Sequence, residues 1–324
     1  KIIEALTKHA KLERQIVLSD HLELDLGIDS LGRVELTMAL EQALNSHIPD
    51  EVLAKVSTVK ELILEIEKLA QGPEAQGGTI GQVKIQISWN EVLSKEPAKE
   101  MVKKLYIAPN FAVIFGMLLF TSMLRLLFRM VWRLKISGTE NIPINGKCIL
   151  CVSHGSYLDG FIVAASVPAG LRKNLYLVGF ETFFDHFLIR NIIKYIRVIL
   201  IDPGMHFVEA MQASSYVLKN NKMVCIFPEG ERTIDGEIKE FKKGVGILAK
   251  ELNVPLIPVY IAGSYESWPR TKRLPKPYPI KITFGKSFDF EELKKEGSRL
   301  GAKDDYEAIT FGIRGEVIKL KGKQ

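Results

Sequence analysis

Three cysteines in 324 residues are too few for a disulfide framework or a multi-thiolate zinc site. Cys148, Cys151 and Cys225 all lie inside apolar runs. Cys148 and Cys151 have a C-x-x-C spacing, but no second pair completes a metal site, so no metal is expected. The three read as buried, reduced core thiols, in keeping with a cytoplasmic setting. The chain also lacks the basic, apolar and small-residue succession of a secretory leader. It opens on Lys1 in a helical pattern rather than on Met, and reads as a piece of something longer or a processed chain. Its length exceeds what one small core usually holds, so two domains are expected.

Charge is plentiful but unevenly placed. Residues 20–69 carry eleven Asp or Glu against four Lys or Arg, a balance of −7, while the whole chain is +6. The remainder is therefore strongly basic, and two modules with different partners are expected. A basic module that also holds a long apolar stretch points to anionic lipid or phosphate-bearing substrates rather than to nucleic acid.

The acidic module reads as a small helical bundle. Residues 58–69 form an amphipathic pattern with Leu62, Ile66 and Leu69 near one face. Residues 31–44 form a second, with Val34, Met38, Leu40 and Leu44 at helical spacing, and an earlier helix covers about residues 1–15. Ser30 stands where a long loop meets the second pattern, a natural helix cap. The string Leu26-Gly-Ile-Asp-Ser30-Leu-Gly-Arg-Val-Glu-Leu36 closely resembles the prosthetic-group site of acyl carrier proteins. That resemblance covers residues 1–70 and implies a covalent 4′-phosphopantetheine on Ser30. The chemistry suits the place, because a phosphodiester there would meet the positive end of a helix.

Residues 71–96 read as a linker and connecting segment, Gly- and Pro-rich at first, with Trp89 as an anchor further on. Residues 97–133 read as membrane-associating helices. Within them 107–124 contain no charged residue, at the lower edge of a bilayer span, and Arg125, Arg129 and Arg133 follow at spacings of four. A single crossing would put the two modules on opposite sides of a membrane. A monotopic or re-entrant insertion, with the arginines facing lipid headgroups, is expected instead.

Residues 134–324 alternate short apolar runs with helical stretches. Strands are expected at 147–152, 175–178, 197–201, 222–227, 254–261 and 280–284, and helices near 159–168, 182–195, 205–219 and 242–252. Near-continuous apolar strands between helices indicate an α/β sheet covered on both faces. The fold class is thus α plus α/β. Two strand ends are rich in chemistry, as such folds favour. In Val152-Ser-His154-Gly-Ser-Tyr-Leu-Asp159, a turn could bring the carboxylate to one ring nitrogen and leave the other free to accept a proton. That is the base half of a triad whose nucleophile could be a substrate hydroxyl. In Phe227-Pro-Glu-Gly-Glu-Arg-Thr233, a glycine permits a tight turn and Arg232 offers a forked donor suited to phosphate.

Together these motifs closely resemble the glycerolipid acyltransferases, marked by His-x-x-x-x-Asp followed by Phe-Pro-Glu-Gly-x-Arg, and Val254-Pro-Leu-Ile-Pro-Val259 resembles a later box of that family. The resemblance implies His154 as general base, Asp159 as its orienting partner, and Glu229, Gly230 and Arg232 as residues that shape the acceptor site. It implies an acyl thioester donor, a lipid hydroxyl acceptor such as a lysophospholipid, and a place in phospholipid biosynthesis at the cytoplasmic face of a membrane. Similar fusions begin with an acyl-activating ligase, which makes such a domain an expected partner. Two other arrangements stay open. The transferase could use acyl-CoA while the carrier serves an upstream ligase, or the second module could be a non-catalytic membrane platform. The sequence departs from the family where a basic residue is usual, since Pro203 follows Ile201-Asp202. Arg197 or Lys194 could compensate.

Overall fold

The structure, a computed structural model, describes residues 89–105, 107–180, 197–201 and 207–323 throughout, together with two helices and single positions within residues 1–70. The chain divides into two compact units, the second beginning at Ser88. The expected helix at 182–195, residues Lys194 and Pro203, and most of the linker and of the helix at 1–15 lie outside the described residues.

In the first unit, α1 runs Ser30–Leu44 and α2 Val59–Ala70. One small core joins Leu22, Leu26 and Ile28 of the loop to Leu36 and Leu40 of α1 and to Val59, Leu62 and Ile66 of α2. Thr58 caps α2, since its Oγ1 accepts from the amide of Glu61 and the Glu61 carboxylate accepts from the amide of Thr58. This reciprocal pair fixes where the helix starts.

The second unit opens with the short helices α3 (Trp89–Ser94) and α4 (Lys99–Leu105), then α5 (Phe111–Trp132). Helix α5 starts later than the uncharged run because Asn110 caps it, accepting from the amide of Val113 at 3.0 Å. It ends where Arg133 turns into the left-handed region at φ 50°. Strands β1 (Lys135–Ser137), β2 (Ile149–Val152), β3 (Leu175–Phe180), β4 (Val198–Ile201), β5 (Met223–Ile226), β6 (Leu256–Ala262) and β7 (Lys281–Phe284) form one sheet in the order β1-β7-β6-β2-β5-β3-β4. From β6 to β4 all neighbours are parallel, and β7 runs antiparallel to β6. Between the strands lie α6 (Asp159–Ser166), α7 (Ala169–Arg172), α8 (Phe207–Lys219), α9 (Gly244–Leu252) and α10 (Ser264–Ser267). The helices α11 (Phe290–Ser298) and α12 (Asp305–Lys321) follow β7.

Alternate strand residues point to opposite faces. Cys148, Leu150, Val152, Met223, Cys225, Ile257 and Val259 build one core with α6 and with Phe128 and Trp132 of α5. Helices α9 and α12 cover the other face. All three cysteines are buried and free, as expected. One expectation is corrected here: α5 is not a segment standing ahead of the α/β domain. Its Phe128 and Trp132 belong to that domain's core, and Phe120 and Leu124 pack against it. The opposite side of the same helix exposes Phe111, Phe115, Leu119, Met123, Leu126 and Met130. The three arginines do not share one environment either. Arg129 is exposed, and Arg133 is the left-handed cap. Arg125 has its Nε buried without a partner, and burial, with Arg129 beside it, pushes its pKa down.

Candidate active site

Because β2, β3, β4, β5 and β6 run in one direction, their carboxyl ends share one edge of the sheet. Residues 153–158 leave β2 there and lead into α6, and residues 227–233 leave β5 there. Ser153 closes the end of β2, its amide donating to Val259 O at 3.1 Å and its hydroxyl accepting from the Ile261 amide at 3.2 Å.

Asp159 is the first residue of α6 and is fully buried. Its Oδ2 faces back across the turn and accepts from three donors, at 2.8 Å from the Gly155 amide, 2.8 Å from the Ser156 amide and 2.9 Å from His154 Nδ1. A helix start favours a carboxylate. With Nδ1–H donated to Asp159, Nε2 is left as the acceptor nitrogen. The His154 side chain keeps 21% of its surface exposed. The ring is steadied on its face by Phe227, with centroids 4.2 Å apart and planes at 25°.

Glu229, expected to shape the acceptor site, braces the two loops together. Only 3% exposed, it accepts from the His154 amide through Oε1 at 2.7 Å and from the Lys239 amide through Oε2 at 2.9 Å. Burial pushes its pKa up. A second tie joins the Thr233 amide to His154 O at 2.9 Å. Gly230 sits at φ +79°, closing the turn through its amide to Phe227 O at 3.0 Å, a conformation that only glycine adopts cheaply.

Arg232 stands over the ring of Tyr157 at 3.5 Å from its centroid, and Tyr157 packs against Trp268 with centroids 5.2 Å apart. Burial, and to a lesser degree Arg270, push the Arg232 guanidinium below its usual pKa. Ser156 Oγ donates to Trp268 O at 2.9 Å, fastening this stack to the histidine loop. Sequence reasoning did not find Tyr157, Trp268 or Arg270, which pairs with Glu231 at 3.1 Å. Tyr157 lay within the quoted motif, and the only other signal was a tryptophan heading a basic, proline-rich loop.

The sequence-predicted residues of the second unit, His154, Asp159, Glu229, Gly230 and Arg232, are thus brought to one edge. Arg197 is not. It precedes β4 and lies at the opposite, amino-end edge, where its backbone carbonyl accepts from the Leu177 amide at 3.0 Å. The four residues of β4, about 13 Å of strand, lie between it and the carboxyl-end edge.

In the first unit, Ser30 is the first residue of α1. A phosphodiester on that residue would meet a helix amino terminus, whose unpaired amides and dipole suit an anion, so the position fits the attachment of phosphopantetheine.

Among the described residues no group of His, Cys, Asp or Glu could hold a metal ion. Residues 133–262 match the acyltransferase family, and residues 1–66 match the phosphopantetheine attachment site family. Among curated relatives, a 1-acyl-sn-glycerol-3-phosphate acyltransferase of Cocos nucifera is 26% identical over 157 residues, 46% of this chain and 49% of the relative. One of Pseudomonas aeruginosa is 28% identical over 165 residues, 49% of this chain and 60% of the relative. The chain spans about half the length of the curated relatives it matches. Among solved structures, the 1-acyl-sn-glycerophosphate acyltransferase PlsC of Thermotoga maritima has a TM-score of 0.48 and 18% identity, covering 72% of this chain and 96% of that one. The chain joins a carrier domain with a phosphopantetheine attachment site to a domain of the acyltransferase family.

Proposed function

We propose that this chain transfers a fatty acyl group from a thioester to a hydroxyl of a lysophospholipid, as a step of phospholipid biosynthesis. The observation that carries the proposal is the 2.9 Å contact of His154 Nδ1 with a fully buried Asp159, in a ring whose side chain remains partly exposed. The hydroxyl proton passes to His154 Nε2 as the oxygen attacks the thioester carbonyl. Asp159 steadies the imidazolium that forms. The C–S bond then breaks, and the proton on Nε2 passes to the departing sulfur. Arg232 takes a negative group of the acceptor, and Tyr157 supports its guanidinium from the other side. Ser30 would hold the phosphopantetheine, which when bound supplies a thiol on a flexible arm to carry the acyl chain. An acid-activating ligase is the corresponding upstream partner.

The exposed apolar side of α5 supports a monotopic seat on the cytoplasmic face of a membrane. The helix is 22 residues long, enough to cross, but its other side is committed to the α/β core.

The test is His154→Ala. Ester formation from an acyl thioester and a lysophospholipid should fall to the uncatalysed level, while modification and acylation of Ser30, read by mass spectrometry, stay intact. Normal transfer by that variant would remove the base assignment.

A further inference from the structure

Residues 269–279, Pro-Arg-Thr-Lys-Arg-Leu-Pro-Lys-Pro-Tyr-Pro, join α10 to β7 and carry four cations, four prolines and no acidic residue. Their conformation is fixed at both ends. On one side Trp268 Nε1 donates to Lys272 O at 3.0 Å. On the other, Trp132 Nε1 donates to Lys276 O at 3.0 Å, and the Lys276 amide donates to Ser267 O at 2.8 Å. Between the two tryptophan ties stands Leu274, 80% exposed. Lys272, Arg273 and Lys276 are exposed and form no ion pair among the described residues.

The two tryptophans belong to different parts of the unit. Trp132 is the last residue of α5, two residues after Met130, which is 67% exposed at that end of the helix's bare apolar side. Trp268 packs on Tyr157, which supports Arg232 beside His154. The loop therefore connects the end of the apolar helix side to the mouth of the site. An exposed leucine flanked by unpaired cations is the arrangement that anionic lipid favours, the apolar tip entering the interface and the cations meeting phosphates.

We infer that residues 269–279 form a second membrane contact, specific for an anionic phospholipid surface, which holds the opening beside His154 at headgroup level. This rests on the reading of α5 as lipid-facing. Prolines at 269, 275, 277 and 279 keep the tip from folding back, so little order is lost on contact.

The test uses the full chain and vesicles of phosphatidylglycerol or of phosphatidylcholine, with binding read by co-sedimentation. Three variants accompany the wild type: Lys272→Gln with Arg273→Gln, Leu274→Asp, and Met123→Asp on α5. All replace exposed residues, and unchanged thermal melting serves as the folding control. The double charge variant should lose roughly 25-fold in partition to phosphatidylglycerol, at about fivefold per cation, and far less to phosphatidylcholine. Leu274→Asp should lose about tenfold on phosphatidylglycerol, the surface the loop is inferred to contact. If the loop variants bind like wild type while Met123→Asp does not, the loop inference fails and the α5 reading stands. If the wild type binds neither vesicle, both fail. If the loop variants bind vesicles normally but lose transfer only from acyl groups carried on Ser30, the loop is a dock for the acidic carrier, and the membrane contact is overturned.

Discussion

Replacing Asp159 by asparagine isolates the charge of the site from its geometry. Oδ2 of Asp159 accepts three hydrogen bonds, while Oδ1 is buried with no partner. An amide fits that asymmetry. Its oxygen takes the place of Oδ2 and keeps all three donors, and its NH2 goes where no bond existed. The loop and the imidazole tautomer are kept, and only the negative charge is lost. At an effective dielectric constant of about 20, unit charges at the observed 2.9 Å attract by roughly 6 kcal/mol. The hydrogen bond that remains, from the imidazolium to the amide oxygen, returns about 1.5–3 kcal/mol. The net loss of about 3–5 kcal/mol corresponds to a fall of ~10²- to ~10⁴-fold in kcat. The assay is thiol release from an acyl thioester with a lysophospholipid acceptor, run beside a thermal melt. KM should change little, because the charge acts on the imidazolium formed during reaction. The unpartnered NH2 costs about 1–3 kcal/mol, partly offset by removal of a buried charge, so Tm should fall by only a few degrees. Asp159→Ala, by contrast, strips two backbone amides of their acceptor and should melt well below the Asn variant. An Asn variant that turns over at more than about a tenth of the wild-type rate refutes the argument.

Glu229→Ala leaves the amides of His154 and Lys239 without acceptors, at about 2–6 kcal/mol, so Tm and activity should fall together. An unchanged Tm would count against the bracing role. In a Ser30→Ala chain, which carries no prosthetic thiol, a chromogenic disulfide should leave the folded protein unreacted at about pH 8 and titrate three thiols after denaturation. Burial pushes the Cys148 thiol up to about 12 and raises those of Cys151 and Cys225 as well. Rapid reaction of the native chain would show that a cysteine reaches solvent.

Strands β2, β5 and β6 were legible because they are largely buried and read as apolar runs, while β7 alternates buried Ile282 and Phe284 with less buried neighbours. β2 occupies Ile149–Val152 within the expected 147–152. β1 was missed, a three-residue edge strand with alternating exposure that leaves too little pattern. So were α11 and α12, although each has an aspartate cap, Asp289 accepting from the Glu292 amide and Asp304 from the Glu307 amide, both at 2.8 Å. Their apolar periodicity is interrupted by Gly297 and Gly312, which let the two backbones meet. A Cβ on either would lie 1.8 Å from Ala308 O or 2.3 Å from Leu293 O. The pair His154 and Asp159 was readable because one loop holds both. The task of Glu229 was not, since its donors come from two other parts of the chain, and neither was the stack of Arg232, Tyr157 and Trp268, which only the fold brings together.

Strand direction settles where a negative acceptor group can be met. Arg197 offers Nε and NH2 without partners, but both are buried, and its guanidinium lies 5.0 Å from the Tyr176 ring at the amino-end edge, with Lys173 and Lys222 as its cationic neighbours. No acceptor at His154 Nε2 reaches that edge, because the length of β4 intervenes. Among the described residues, cations near the carboxyl-end edge include Arg232, Arg270, whose charge is already shared with Glu231, and Lys242, whose side chain lies against the Gly230 turn. On the proposed reaction, a phosphate near the attacking hydroxyl is therefore met at the carboxyl-end edge, by Arg232 on its aromatic support, and not at Arg197.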